Sequence, residues 1–194
     1  MKKVKFWVLI AIYLLLAFAD GALTYINTPD LFHDSNPLIA ELGLGWGALA
    51  IANIAVFLLI FAAAYYSYCK YQTVYTNERK FTKYYSQIVF NRPDMFWKGA
   101  LLLPKNWSVW GAAFGVSLLY SGIAARLILV LEWSVVTLYH SNIDQFRSLY
   151  KFYVRYYYQF GGRLHILVAI AVMALSLCCW FYAEFRKQLK NKAE

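Results

Sequence analysis

Two side chains of opposite charge lie inside long apolar stretches of this chain, Asp20 in the first stretch and Arg126 in the third. A charged side chain in hydrocarbon costs roughly 2.5–3.5 kcal/mol on insertion scales, so it normally has a partner or marks a pathway for a polar substrate. These two residues are therefore the first candidates for chemistry or for an ion pair between helices.

Three further polar residues are expected close to this pair. A helix rises 1.5 Å per residue, so Asp20 lies roughly 20 Å and Arg126 roughly 24 Å along their stretches. Asn53 lies about 10 Å from the outer end of the second stretch. Thr24 shares a helix face with Asp20 because it follows four residues later, and Glu132 lies further out than Arg126. We expect these five residues to form an intramembrane polar cluster.

The third apolar stretch is too long for one straight crossing, so it has two possible registers. If its core is 110–130, Arg126 lies near the outer interface and its side chain can extend into water. If its core is 116–138, Arg126 is central and needs a carboxylate. The apolar residues after Arg126 favour the second register, with Asp20 as the partner and Glu132 as the competing acid.

A second group of polar residues is expected on the outer side of the membrane: His33, Asp34, Asn36, Glu41, His140 and His165. Imidazole and carboxylate groups are suitable zinc ligands. These residues, however, come from separate segments without close ligand spacing. We therefore predict neither a metal site nor a cofactor.

The elements that carry these residues are membrane-spanning helices. With 61% hydrophobic and only 15% charged residues, the composition excludes an ordinary soluble domain. A spanning helix needs about 20 apolar residues, and four segments meet that requirement: 6–26, 46–66, 110–138 and 164–182. The predicted fold is all-α, a single transmembrane domain over residues 1–194 with four transmembrane helices.

Two amphipathic helices are predicted at the membrane interfaces, over 78–90 and 144–160. In the second, Arg147, Lys151 and Arg155 follow one another at four-residue spacing and form one basic stripe. We interpret the stripe as a contact with lipid headgroups. The alternative is a binding face for an acidic partner or an anionic lipid substrate.

The formal charge of +9 resembles that of a nucleic-acid-binding protein, but the basic residues lie at the ends of the spans. There they contact lipid phosphates and set topology, so we expect the lipid bilayer with its anionic headgroups as partner, and no nucleic acid. The positive-inside rule places both termini in the cytoplasm and the protein in the inner (cytoplasmic) membrane. The loop before the fourth span departs from the rule, because it carries four basic residues.

The first span has an alternative interpretation. Lysines before an apolar run, followed by Ala17-Phe18-Ala19, are typical of a secretory signal peptide with its cleavage site. Apolar residues continue past that site and give full spanning length, which favours a retained helix. In the third span, Gly111-x3-Gly115 and Ser117-x3-Ser121 predict a close helix contact.

A short pattern links the first two spans. Asp20-x3-Thr24 is followed by Asp34-Ser35-Asn36-Pro37 before the second span. The pattern resembles a family of small, uncharacterised prokaryotic membrane proteins with Asp-x3-Thr in one helix and an acid-x-Asn-Pro before the next. The family usually has Glu where this chain has Asp34, and the resemblance covers about the first seventy residues. It implies that these polar residues act together, with the Asn-Pro turn folded over the first helix, and it implies no known activity.

No motif for a metalloprotease, a serine hydrolase or a phosphate-binding loop occurs in the sequence. The leading hypothesis is therefore a non-enzymatic membrane protein, a subunit, assembly factor or scaffold, with possible association with another membrane subunit or with itself. The first alternative is a small transporter or lipid-binding protein with an outward-facing polar cavity. The second is a membrane enzyme acting on a lipid or an outer-leaflet substrate through an acid–base pair.

Overall fold

The computed structural model of the protein describes residues 2–31, 43–96 and 103–191. Within these ranges the chain forms six α-helices and no strand: α1 Lys2–Asn27, α2 Trp46–Tyr65, α3 Phe81–Phe90, α4 Trp107–Ser141, α5 Ile143–Gln159 and α6 Leu164–Asn191. A π-helical turn, Tyr66–Lys70, extends α2. The helices α1, α4, α6 and α2 with its extension are long and apolar enough to cross a membrane. The predicted all-α fold with four candidate spans is confirmed.

Helix α4 is the centre of the bundle, because α1, α2, α5 and α6 all pack against it. Its 35 residues make it about 52 Å long, well above the roughly 30 Å of hydrocarbon that a straight span must cross. Its first turn is capped by the side chain of Asn106, which accepts a hydrogen bond from the Val109 amide at 3.4 Å. The outward-facing sides of the spans are apolar and uncovered by protein, as at Phe18 and Ile51.

One end of the bundle holds a close-packed core that the sequence did not predict. Helix α3 buries Tyr84, Ile88 and Val89 in a cluster with Phe181 and Phe185 of α6 and with the first turns of α4. The apolar periodicity within 78–90 was interpreted as a helix lying on lipid, but the helix begins at Phe81 and its apolar face is covered by protein. This contact explains why α6 continues to Asn191, nine residues beyond the predicted span.

Small residues allow α4 to approach α2 closely at this same end. A Cβ atom on Gly115 would overlap the Ala63 carbonyl and the Ser67 side chain, and Ala112, Ala113 and Ser117 are fully buried nearby. The small-residue motif of the third span therefore faces α2 and its π-helical turn. Packing of this kind stabilises helix pairs in lipid, because lipid provides no hydrophobic driving force for helix association.

The other end of the bundle is more open. No residue of α4 after Ser121 is fully buried, although all of α4 is described. Helix α5 folds back along this part of α4, and the rings of Tyr139 and Tyr150 stack with centroids 4.0 Å apart. Gly161 and Gly162 then have φ values of 57° and 69°, a left-handed conformation that favours glycine, and turn the chain into α6.

Candidate functional site

Arg126 lies at the junction of three spans in this more open half. Its Nη1 donates to Asp20 Oδ2 of α1, and its Nη2 donates to Asn53 Oδ1 of α2. The Asp20 and Arg126 side chains are 9% and 16% exposed, so the pair is largely buried within the protein. We call Asp20, Asn53 and Arg126 the three-helix clamp.

Neighbouring hydrogen bonds orient the groups of the clamp. The Asn53 amide donates through Nδ2 to the Leu49 carbonyl at 2.9 Å, which turns Oδ1 toward Arg126. The buried Thr24 hydroxyl donates to the Asp20 main-chain carbonyl at 2.8 Å, within its own helix. Thr24 therefore satisfies its own polar group through the backbone rather than supporting the carboxylate. The four-residue spacing predicted a shared face, and the structure adds this main-chain contact.

Two ionisable side chains next to the clamp each have one buried atom without a hydrogen bond among the described residues. Glu132 Oε1 and His165 Nδ1 are buried without a partner among the described residues. The charge of Asp20 acts on both of them, which places them within electrostatic reach of the clamp. Glu132 was the expected competitor for Arg126, but the guanidinium is bound by Asp20 and Asn53. His165 joins the cluster because α6 begins at the depth of Arg126.

Tyr153 of α5 is a neighbour of the cluster that the sequence did not indicate. Burial, together with the charge of Glu132, raises the pKa of Tyr153 well above its usual range. Its phenol, like that of any tyrosine at neutral pH, carries its proton and is a hydrogen-bond donor. In the sequence, Tyr153 is one of several aromatic residues of α5, and nothing distinguishes it from Tyr150 or Tyr157.

A separate hydrogen bond joins α1 to α4 nearer to the C-terminal ends of both helices. Asn27 Nδ2 donates to Thr137 Oγ1 at 2.8 Å, and also to the Leu23 carbonyl of its own helix. Neither residue was predicted as part of a site, because single amide and hydroxyl side chains near span ends carry no distinguishing pattern. The bond shows that the C-terminal ends of α1 and α4 lie side by side.

The predicted outer-side residues are not all testable in the structure. His33, Asp34, Asn36 and Glu41 lie outside the described residues. His140 is exposed at the end of α4, about 21 Å along the helix from Arg126. His140 is thus well separated from the clamp that His165 adjoins, and the described residues contain no group of three potential metal ligands.

The basic stripe of α5, formed by Arg147, Lys151 and Arg155, is exposed. Arg147 pairs with Asp144 at 3.2 Å, an exposed contact that contributes little to stability. Five large hydrophobic side chains of α5 are exposed as well: Ile143, Leu149, Phe152, Tyr156 and Tyr158. Helix α5 therefore presents charge and apolar surface together, a combination typical of a helix at a lipid interface.

Chemically, the site combines a neutralised ion pair with three further polar groups, Glu132, His165 and Tyr153. The ion pair can hold three helices in register, and the other groups can form hydrogen bonds with a small polar molecule. Comparison with known proteins adds no constraint: no family model, no curated protein and no solved structure matches this chain.

Proposed function

We propose that this protein is a non-enzymatic integral membrane protein, a subunit, assembly factor or scaffold, in which the three-helix clamp fixes the arrangement of α1, α2 and α4. The observation that supports this proposal is the clamp itself. Its guanidinium has partners on two other helices, so the buried charge is compensated within the protein. A group satisfied in this way specifies packing and has little capacity left for a substrate.

The proposal includes an orientation. The start of α1 and the end of α6 line one cavity, so they lie at the same end of the bundle. The lysines near both segments and the bias of the positive-inside rule assign that end to the cytoplasmic side of the inner membrane. Helix α5 then lies at the outer surface, where its basic stripe contacts anionic headgroups of the outer leaflet.

The orientation can be tested with single cysteines in a background in which Cys69, Cys178 and Cys179 are replaced by alanine. We expect a membrane-impermeant thiol reagent to label Ser148→Cys of α5 in intact cells. Lys80→Cys, which is exposed at the other end, should react only after permeabilisation. The reverse labelling pattern would show that the protein has the opposite orientation in the membrane.

The same background tests whether the clamp is dry. Thr24→Cys lies one turn from Asp20 and leaves all three clamp residues in place. If the clamp only orders the helices, Thr24→Cys should resist the reagent under conditions that label Ser148→Cys completely. Comparable labelling of both positions would reveal a hydrated path to the clamp and would contradict a purely structural role.

A second candidate function is supported by the two unpartnered groups. Glu132 Oε1 and His165 Nδ1 would gain hydrogen bonds from a polar ligand that enters from the outer side. This favours a small transporter or lipid-binding protein with an outward-facing cavity as the alternative. Its distinguishing result is the labelling of Thr24→Cys, together with protection of that cysteine by the transported or bound compound.

A further inference from the structure

A cavity of about 670 Å³ lies at the end of the bundle opposite the clamp, between α1, the π-helical turn, α4 and α6. This volume is within the range of sites that bind small molecules. Its mouth and its interior differ in character, and that difference identifies the kind of ligand.

The mouth carries three ammonium groups. Lys2 and Lys5 come from the first turn of α1, and Lys187 comes from the last turns of α6. Lys187 pairs with Glu184, while the Nζ of Lys5 lies 5.7 Å from the ring centroid of Tyr120. Three cations and one carboxylate leave a net positive mouth, which suits a phosphate group at the membrane surface.

Two polar groups in the cavity wall are incompletely paired. Glu184 is only 2% exposed and Tyr71 only 8%, yet Glu184 Oε2 has no hydrogen bond among the described residues, and the Tyr71 hydroxyl, which lies next to the Val74 backbone, donates to none of them. Burial, reinforced by the charge of Glu184 and opposed by the Val74 backbone, raises the pKa of Tyr71 above its usual range. Leaving such groups unpaired is costly, which indicates a ligand that donates to the carboxylate and accepts from the phenol.

The interior wall is apolar. Val116, Val172 and Leu175 line it, and Leu175 is 66% exposed toward the surroundings of the bundle. From Lys187 to Val172 the wall follows α6 for about 22 Å. The cavity therefore extends from the polar surface into the depth of one leaflet, and an acyl chain can follow α6 along it.

We propose that this cavity binds a phospholipid with an ethanolamine headgroup from the cytoplasmic leaflet. The phosphate lies between Lys2, Lys5 and Lys187 and accepts from Tyr71, the headgroup ammonium donates to Glu184, and an acyl chain follows the apolar wall. A choline headgroup has no N–H donor for Glu184, and a glycerol headgroup offers only neutral hydroxyls, which bond a carboxylate more weakly than an ammonium does. This assignment does not depend on the role proposed for the clamp, but its leaflet rests on the orientation proposed above, which the cysteine labelling tests separately.

The test is lipid retention by the full-length protein. Purified protein is equilibrated with micelles that contain equal amounts of phosphatidylethanolamine, phosphatidylglycerol and phosphatidylcholine, and retained lipid is identified by native mass spectrometry. We expect one retained phosphatidylethanolamine per chain. The double variant Lys2→Gln/Lys5→Gln should reduce retention about thirtyfold. The matched control Lys3→Gln, which removes a lysine from the same turn but outside the cavity lining, should retain the lipid fully.

Two further variants keep the test decisive. Glu184→Gln should remove the preference for ethanolamine over glycerol headgroups, and Ala183→Trp, which places a large side chain in the cavity, should abolish retention without altering the charge. Equal retention of all three lipids, or retention unaffected by Ala183→Trp, would overturn the site. Preference for phosphatidylglycerol would overturn the role of Glu184. Displacement of the lipid by equimolar free phosphoethanolamine would overturn the assignment to a lipid in favour of a soluble ligand.

Discussion

Helix α4 contacts its neighbours differently at the two ends of the bundle. At the end that holds α3, small residues of α4 fit against α2, and the aromatic side chains of α3 and α6 cover its first turns. At the end that holds the clamp, α4 has no fully buried residue, and its neighbours are held by polar contacts: the three-helix clamp and the bond between Asn27 and Thr137. Shape complementarity stabilises one end, and a few directional contacts stabilise the other.

The difference indicates where the molecule tolerates change. A close-packed contact leaves no free space, so a single added methyl group strains it. Loss of one polar group outside that contact changes only its immediate surroundings. In the half of the bundle that holds the clamp, a single charge determines much of the helix arrangement. The stability lost on mutation there should depend on which partner is removed and on whether the remaining charge is still compensated.

The largest expected effect is on the clamp. Arg126→Leu or Asp20→Leu alone should lower the free energy of unfolding by about 3–5 kcal/mol, because each leaves an uncompensated buried charge. The double variant should recover most of that loss. Equilibrium unfolding in mixed micelles measures all three. Additive losses in the double variant would contradict the ion pair.

Gly115→Ala should have the next largest effect and tests the end that holds α3. The added Cβ overlaps the Ala63 carbonyl, which belongs to the backbone and cannot rotate away, so we expect a loss of about 1–3 kcal/mol. The matched control is Gly21→Ala, because a Cβ at Gly21 meets no atom within 4 Å. That variant should be neutral or slightly more stable in the same unfolding measurement. Equal losses would show that α4 and α2 are not in close contact.

Replacing Glu132 should stabilise the half of the bundle that holds the clamp. Glu132→Leu removes a buried oxygen that lacks a hydrogen bond, so we expect a gain of about 1–2 kcal/mol in the free energy of unfolding. Asp144→Leu, which removes an exposed carboxylate of α5, is the control and should change stability little. A loss of stability in Glu132→Leu would mean that this carboxylate has a favourable partner in the membrane.

The smallest expected effect is at the Asn27–Thr137 bond. Thr137→Val preserves shape and removes the acceptor, and a typical hydrogen bond between membrane helices contributes about 0.6 kcal/mol. Thermal unfolding of the variant beside Ser134→Ala, whose hydroxyl bonds only within its own helix, isolates the interhelical part. If both variants behave alike, the bond adds nothing that holds α1 to α4.

The sequence predicts the spans of this protein much better than it predicts their contacts. Long apolar runs identify α1, α2, α4 and α6 directly, since the bilayer imposes their length. The partner of an apolar face is not encoded in its periodicity, which is why α3 was expected on lipid and lies on protein. The positions of Asp20, Asn53 and Arg126 along their spans predict that the three residues lie at a similar depth. The contribution of Tyr153 could not be predicted, because it depends on how α5 folds back along α4.

The clamp has a consequence for the order in which the chain is made. Arg126 follows Asp20 by 106 positions, an interval of roughly 5–20 s at ordinary rates of synthesis. If α1 enters the membrane before Arg126 is made, the Asp20 carboxylate lies there without its guanidinium partner. We therefore expect a chain that stops before Arg126 to carry an uncompensated charge inside the bilayer and to be recognised by quality-control proteases.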